Sequence, residues 1–81
     1  MITEKDLVQG NIIQHDILKW TWLILSCGEP FTKKGYISTF DPAAYDIKVW
    51  HMLVYSVQSN RKMEIIYWET DCPAWNLVAT G

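Results

Sequence analysis

No stretch of this 81-residue chain approaches the eighteen consecutive apolar residues of a membrane-spanning helix. Its opening segment, Met1-Ile2-Thr3-Glu4-Lys5-Asp6, has no apolar signal core, so the expectation is a cytoplasmic protein without a membrane partner. Cysteine is scarce: Cys27 and Cys72 fit reduced thiols in that compartment, and a disulfide would require a fold that brings them together. The four glycines stand alone at positions 10, 28, 35 and 81, which leaves no glycine-rich loop to cradle a phosphate. Positive charge is also short. Seven Lys and Arg face nine Asp and Glu, for a net charge of −2, which argues against affinity for a nucleic-acid backbone as a default.

Ligand chemistry is equally thin. His15, Cys27, His51 and Cys72 are scattered singly, whereas a structural zinc site takes closely spaced pairs. The thiols read as small core residues and the imidazoles as strand-edge side chains, and neither metal nor cofactor is expected. A Cys–His nucleophile would need a thiol within hydrogen-bond reach of an imidazole that a third group orients, and nothing in the sequence places them so. Glu64 and Glu69 flank one strand, but a carboxylate pair also needs a cleft that so small a domain seldom encloses. No enzyme is expected.

What the chain does have is apolar and aromatic mass, with 49% hydrophobic residues and five tryptophans. One domain spanning 1–81 follows, and at this size it must fill its core densely. The stretch from Lys48 to Glu69 organises it. Two runs rich in β-branched and aromatic residues flank Gln58-Ser59-Asn60-Arg61-Lys62, the pattern of an antiparallel hairpin. In Ile47–Val57 the set Trp50, Met52, Val54 alternates with Val49, His51, Leu53, Tyr55 and Val57. In Met63–Glu69 the set Met63, Ile65, Tyr67 alternates with Glu64, Ile66 and Trp68.

Trp20–Cys27 is apolar on both alternating sets and stops at Gly28 and Pro30, so it reads as a strand covered on both faces. The shorter runs Ile12–His15 and Trp75–Ala79 complete five strands. Thr3 and Asp6 are placed to cap one helical turn at the N-terminus, and residues 70–74 form a tight 3₁₀-like turn before the last strand. From Gly28 to Asp46 the sequence reads as one long irregular loop, with a short helical turn at Pro42–Tyr45, where Asp41 caps and Pro42 takes the first helical position. Phe31, Tyr36, Phe40 and Tyr45 let that loop lie down on the rest. The fold class is all-β, a small five-stranded barrel, whose closure would hide apolar strand edges.

Gly10-Asn11-Ile12-Ile13-Gln14-His15, then Trp22-Leu23-Ile24-Leu25-Ser26, the central hairpin, Trp68-Glu69 and Trp75-Asn76-Leu77-Val78 together resemble SH3-like barrels. The similarity is to the small ones encoded by tailed bacteriophages, and it spans about Val8 to Val78. It is one of pattern and brings no catalytic or ligand motif. The chain lacks the Ala-Leu-Tyr-Asp-Tyr run of signalling SH3 domains, and Trp50 is not part of a Trp-Trp pair, so proline-rich peptides are not implied.

Five tryptophans exceed what so small a core can hide, because Trp is seldom wholly buried. At least two should reach the surface. One reading has them covering the outer barrel face beneath the long loop. The other has them forming an aromatic patch that meets a protein partner or a second copy, since Trp, Tyr and Arg dominate binding hot spots. The residues singled out are Trp20, Trp22, Trp50 and Trp68, with Phe31 and Tyr36. An alternative gathers Lys33, Lys34, Arg61 and Lys62 with aromatics into a platform for single-stranded nucleic acid. The blander account of those four is solvated charge, given the acidic residues between them.

Overall fold

In the computed structural model, the described residues form six strands and two 3₁₀ turns. The structure describes residues 1–36 and 45–81, with Tyr36 and Tyr45 described by their backbone alone. A 3₁₀ turn at Glu4–Asp6 precedes β1 (Ile12–His15), β2 (Thr21–Cys27), β3 (Phe31–Tyr36), β4 (Tyr45–Ser56) and β5 (Arg61–Trp68). A second 3₁₀ turn, Glu69–Ala74, leads into β6 (Trp75–Ala79). The first turn starts as its sequence suggests: the Thr3 amide donates to Asp6 Oδ2 at 2.9 Å, satisfying a donor that the turn leaves free.

Every pairing is antiparallel. β1 lies between β6 and β2, and β4 lies between β2 and β5. β3 also pairs with β4, on the edge that β2 uses: Cys27 faces Met52 and Phe31 faces Val49, while β5 takes the opposite edge of the same residues. Thus β2 and β3 form one bent track along β4. The break falls at Gly28-Glu29-Pro30, where Pro30 has no N–H to give to the ladder. The Gly28 amide still reaches the His51 carbonyl at 3.1 Å and holds the track in place.

The long irregular segment expected from Gly28 to Asp46 is therefore corrected. Phe31–Tyr36 is a strand, and β4 begins at Tyr45 rather than Ile47. The reason is tertiary. Lys33-Lys34-Gly35 breaks any apolar alternation, so the sequence carries no strand signal there, yet β4 is long enough to offer a partner. The strand count rises from five to six. The helical turn expected at Pro42–Tyr45, like Phe40, lies outside the described residues, except that the Tyr45 backbone opens β4.

The sheet does not close as a barrel, since β5 and β6 share no pairing among the described residues. The second 3₁₀ turn connects them, and Tyr67 meets Trp75 across the gap with ring centroids 6.3 Å apart. Ile13, Ile24, Trp50, Met52, Val54, Tyr67 and Trp75 pack into one core cluster, joined by Ile2 and Leu7 from the N-terminal segment and Cys72 from the second turn. Each large apolar side chain contributes about 1.5–3 kcal/mol on burial. Ile47 and Val49 are also buried, but on the other face of β4 and outside this cluster.

Alternation holds along β4 and β5, where Trp50, Met52 and Val54 are buried and Met63 and Ile65 pack against the core. It fails along β2. Ile24 faces Val54 but Ser26 faces Leu53, so Leu25 is skipped in a bulge. Past that point the phase reverses: Ser26 is exposed and Cys27 packs on the core.

Candidate functional site

The two short hairpin turns sit at the same end of the sheet. The β1–β2 turn, residues 16–19, is closed by the His15 amide on the Trp20 carbonyl (2.8 Å) and the Lys19 amide on the His15 carbonyl (3.0 Å). Lys19 adopts φ 61°, the left-handed conformation that lets the chain double back. Inside the turn the Ile17 and Leu18 amides donate to His15 Nδ1 at 3.3 and 3.0 Å. The single lone pair of His15 Nδ1 is thus shared between two backbone donors that this bend would otherwise leave to water.

Gln58 ties the β4–β5 turn to this one. The Thr21 amide donates to Gln58 Oε1 at 2.8 Å, and Gln58 Nε2 donates to the Lys19 carbonyl at 2.9 Å. The Val57 amide on the Thr21 carbonyl (3.0 Å) adds a third link. Sequence reasoning placed Gln58 in a polar loop. Nothing in its neighbours signals the role, because its partners lie 37 and 39 residues away.

On this scaffold the aromatic rings form a continuous path from surface to core. Trp20 lies nearly parallel to Trp22, with centroids 6.4 Å apart and planes at 16°. Trp22 leans on Trp75 at 4.2 Å, and Trp75 meets Tyr67, which in turn meets Trp50 at 6.4 Å. His15 sits edge-on to Trp75 at 5.2 Å and tilts against Trp20 at 5.9 Å. The inner end is sealed, with Trp50 and Trp75 each only 4% exposed. The outer end is open: Trp20 is 47% exposed, beside Leu18 at 54% and Ile17 at 81%. Trp20, Trp22, Ser56, Gln58, Ser59 and Met63 line a cleft of about 200 Å³ next to it.

The six aromatic residues singled out from sequence therefore divide. Trp20 and Trp22 share the open outer end of the path, an exposed ledge that follows the 16–19 turn. Trp50 belongs to the core, and its expected place at a contact surface is corrected: its strand parity is that of Met52 and Val54, which face inward. Phe31 and Trp68 lie elsewhere, on the opposite face of β4, where both pair with Val49 from opposite sides. There Phe31 is exposed and tilts against His51 at 5.2 Å, and Lys33 Nζ stands 5.8 Å from the centre of the Trp68 ring. The Tyr36 side chain is outside the described residues.

The four basic residues do not converge. Lys33 pairs with Ile47 at one end of β4, whereas Lys62 and Arg61 pair with Tyr55 and Ser56 at the other. At about 3.4 Å per residue the two basic pairs stand roughly 25 Å apart.

The thiols are poor nucleophiles where they sit. Burial, then the carboxylate of Glu29, pushes the Cys27 thiol above its ordinary range. Burial likewise raises Cys72, with Glu69, Asp71 and Asp6 adding to it and a Tyr67 contact working the other way. No group of three or more His, Cys, Asp or Glu placed to hold a metal ion occurs among the described residues. The one ion pair among those residues, Lys48 with Glu4 at 2.9 Å, is half-exposed on both sides. No family model matches the chain, and neither a curated protein nor a solved structure matches it.

Proposed function

We propose that this chain is a non-catalytic protein-binding module, an accessory protein of the kind the phage resemblance implies, and that Trp20 and Trp22 with Ile17 and Leu18 form its contact surface. The observation that carries this is the half-exposed Trp20, stacked on Trp22 and preceded in the chain by two exposed aliphatic residues of a hydrogen-bonded turn. Such a surface is held rigid before any partner arrives, so little ordering entropy is lost on docking. A buried Trp anchor commonly dominates an interface. The raised thiols support the non-catalytic part of the reading, because the thiolate is the reactive form.

The finer architecture proposed is an SH3-like one. Counting β2 and β3 as a single bent track gives the neighbour order β6-β1-β2/β3-β4-β5, with a 3₁₀ turn before the last strand. That connectivity is what supports the resemblance.

The test is affinity purification of the tagged protein from its native host, with Trp20→Ala alongside. The variant should keep the thermal midpoint of the wild type and lose the captured partner. In the free protein a neutral quencher should reach Trp20, and the bound partner should shut it out. Capture that survives both Trp20→Ala and Ile17→Asp overturns the reading. Sedimentation at rising concentration distinguishes a second copy from a foreign protein as the partner.

A further inference from the structure

The ledge rests on a hinge that can change its hydrogen-bonding character. His15 Nδ1 accepts from both the Ile17 and the Leu18 amides, so the neutral ring must carry its proton on Nε2. Adding a proton at Nδ1 turns the acceptor into a donor. Two N–H groups then point at a third, and the bend that displays Ile17 and Leu18 loses its internal brace. Imidazole is the side chain whose charge changes in the physiological range.

We propose that His15 is a pH-sensitive latch for the ledge: neutral, it holds Ile17 and Leu18 at the crest of the 16–19 bend that leads into Trp20, and protonated, it releases those two residues.

The surroundings leave the exchange of partners to decide the outcome. From the β2 side the ring meets Trp20, and from β6 it meets Trp75, neither of them charged. Charged groups come from the turn itself. Asp16 follows His15 and accepts from Asn76 Nδ2 at 3.4 Å, and Lys19 donates its amide to the His15 carbonyl. The turn's remaining bonds, Lys19 amide to His15 carbonyl and Asp16 amide to Ala74 carbonyl, do not involve the ring. Release is thus confined to the Ile17–Leu18 crest and leaves the hairpin paired.

The consequence for binding rests on the reading of the ledge as a contact surface, but the latch itself is measured on the free protein. The experiment is a ¹⁵N NMR titration from pH 8 to pH 5 on wild type, His15→Asn and His51→Asn. Asparagine keeps an acceptor oxygen near the Nδ1 position and cannot titrate. In wild type the Ile17 and Leu18 amide resonances should move together with the His15 ring. Their exchange protection, corrected for the intrinsic pH effect, should fall by about tenfold, the factor carried by two modest hydrogen bonds. His51→Asn should show the same transition, and His15→Asn should show none. The latch is overturned by a flat response of those two amides, by a proton on Nδ1 at pH 8, or by an unchanged transition in His15→Asn. A working latch on a protein that captures no partner would sink the binding reading and leave the latch standing.

Discussion

Removing one oxygen from the core should stabilise this protein. Tyr67 is only 2% exposed, and no described residue gives its hydroxyl a hydrogen-bond partner. The Cys72 thiol interacts with it but is too weak an acceptor to compensate. A buried hydroxyl without a partner costs about 1–3 kcal/mol, because folding strips it of water and returns nothing. The ring, by contrast, is well used against Trp50 and Trp75. Tyr67→Phe keeps the ring and deletes the penalty, so a gain of about 1 kcal/mol is expected once the residual thiol contact is deducted. In a domain of this length that raises the thermal midpoint by about 4–8 °C. Urea melts should show a higher midpoint with an unchanged slope, since the exposed surface is the same.

The same variant predicts an alkaline effect. Burial, with Cys72 and Asp71 adding to it, pushes the Tyr67 phenol far above its ordinary value of 10.0. The folded state therefore holds a proton that the unfolded state releases above pH 10. Stability from this group is complete below that pH and falls as pH rises beyond it, by about 1.4 kcal/mol at pH 11. Tyr67→Phe removes that part of the slope, and the part due to Cys27 and Cys72, whose thiols shift the same way, remains. A Tyr67→Phe variant that melts lower than wild type, or one with the same alkaline slope, would refute the reasoning. It would mean that the hydroxyl has a good partner, such as a trapped water.

The other predictions concern the ring path and the turn. Trp75 touches Trp22, His15 and Tyr67, and Trp75→Ala should cost about 3–5 kcal/mol. That is a large share of the roughly 4–12 kcal/mol available to 81 residues, so the variant should be substantially unfolded at 37 °C by near-ultraviolet circular dichroism while Trp75→Phe stays folded. Lys19, at φ 61°, bears a side chain where glycine is unstrained, and Lys19→Gly should gain about 0.5–1 kcal/mol in a urea melt. A loss there would show that the lysine side chain contributes contacts that outweigh the strain.

The candidate site was legible in part. A surplus of tryptophan was plain from composition, and β4 parity already set Trp50 with Met52 and Val54, the inward set. Residue type pointed Trp50 to a contact surface and parity pointed it inward, and the structure buries it. Trp20 and Trp22 sit together because Trp20 immediately precedes β2 and stands two residues from Trp22, the spacing that returns a side chain to the same face of an extended chain. The roles of His15 and Gln58 were not legible. Both act on backbone groups, and which backbone groups they meet depends on where two turns end up relative to each other.

By itself the sequence determined the β character, the central hairpin and the inward faces of β4 and β5, because a period of two and β-branched side chains act locally. Tertiary structure alone decided the rest. It made Phe31–Tyr36 a strand, since Phe31, Thr32 and Lys33 pair when a long neighbour offers its edge, and the register shifts across Lys34 and Gly35 before Tyr36 meets Tyr45. It reversed the phase of β2 at Leu25, since register there answers to Val54 and Leu53 and not to alternation. It also left Trp20 outside while enclosing Trp75, although nothing in either residue's own chemistry distinguishes them. Enclosure is a property of the space between strands, and that space exists only once the strands have met.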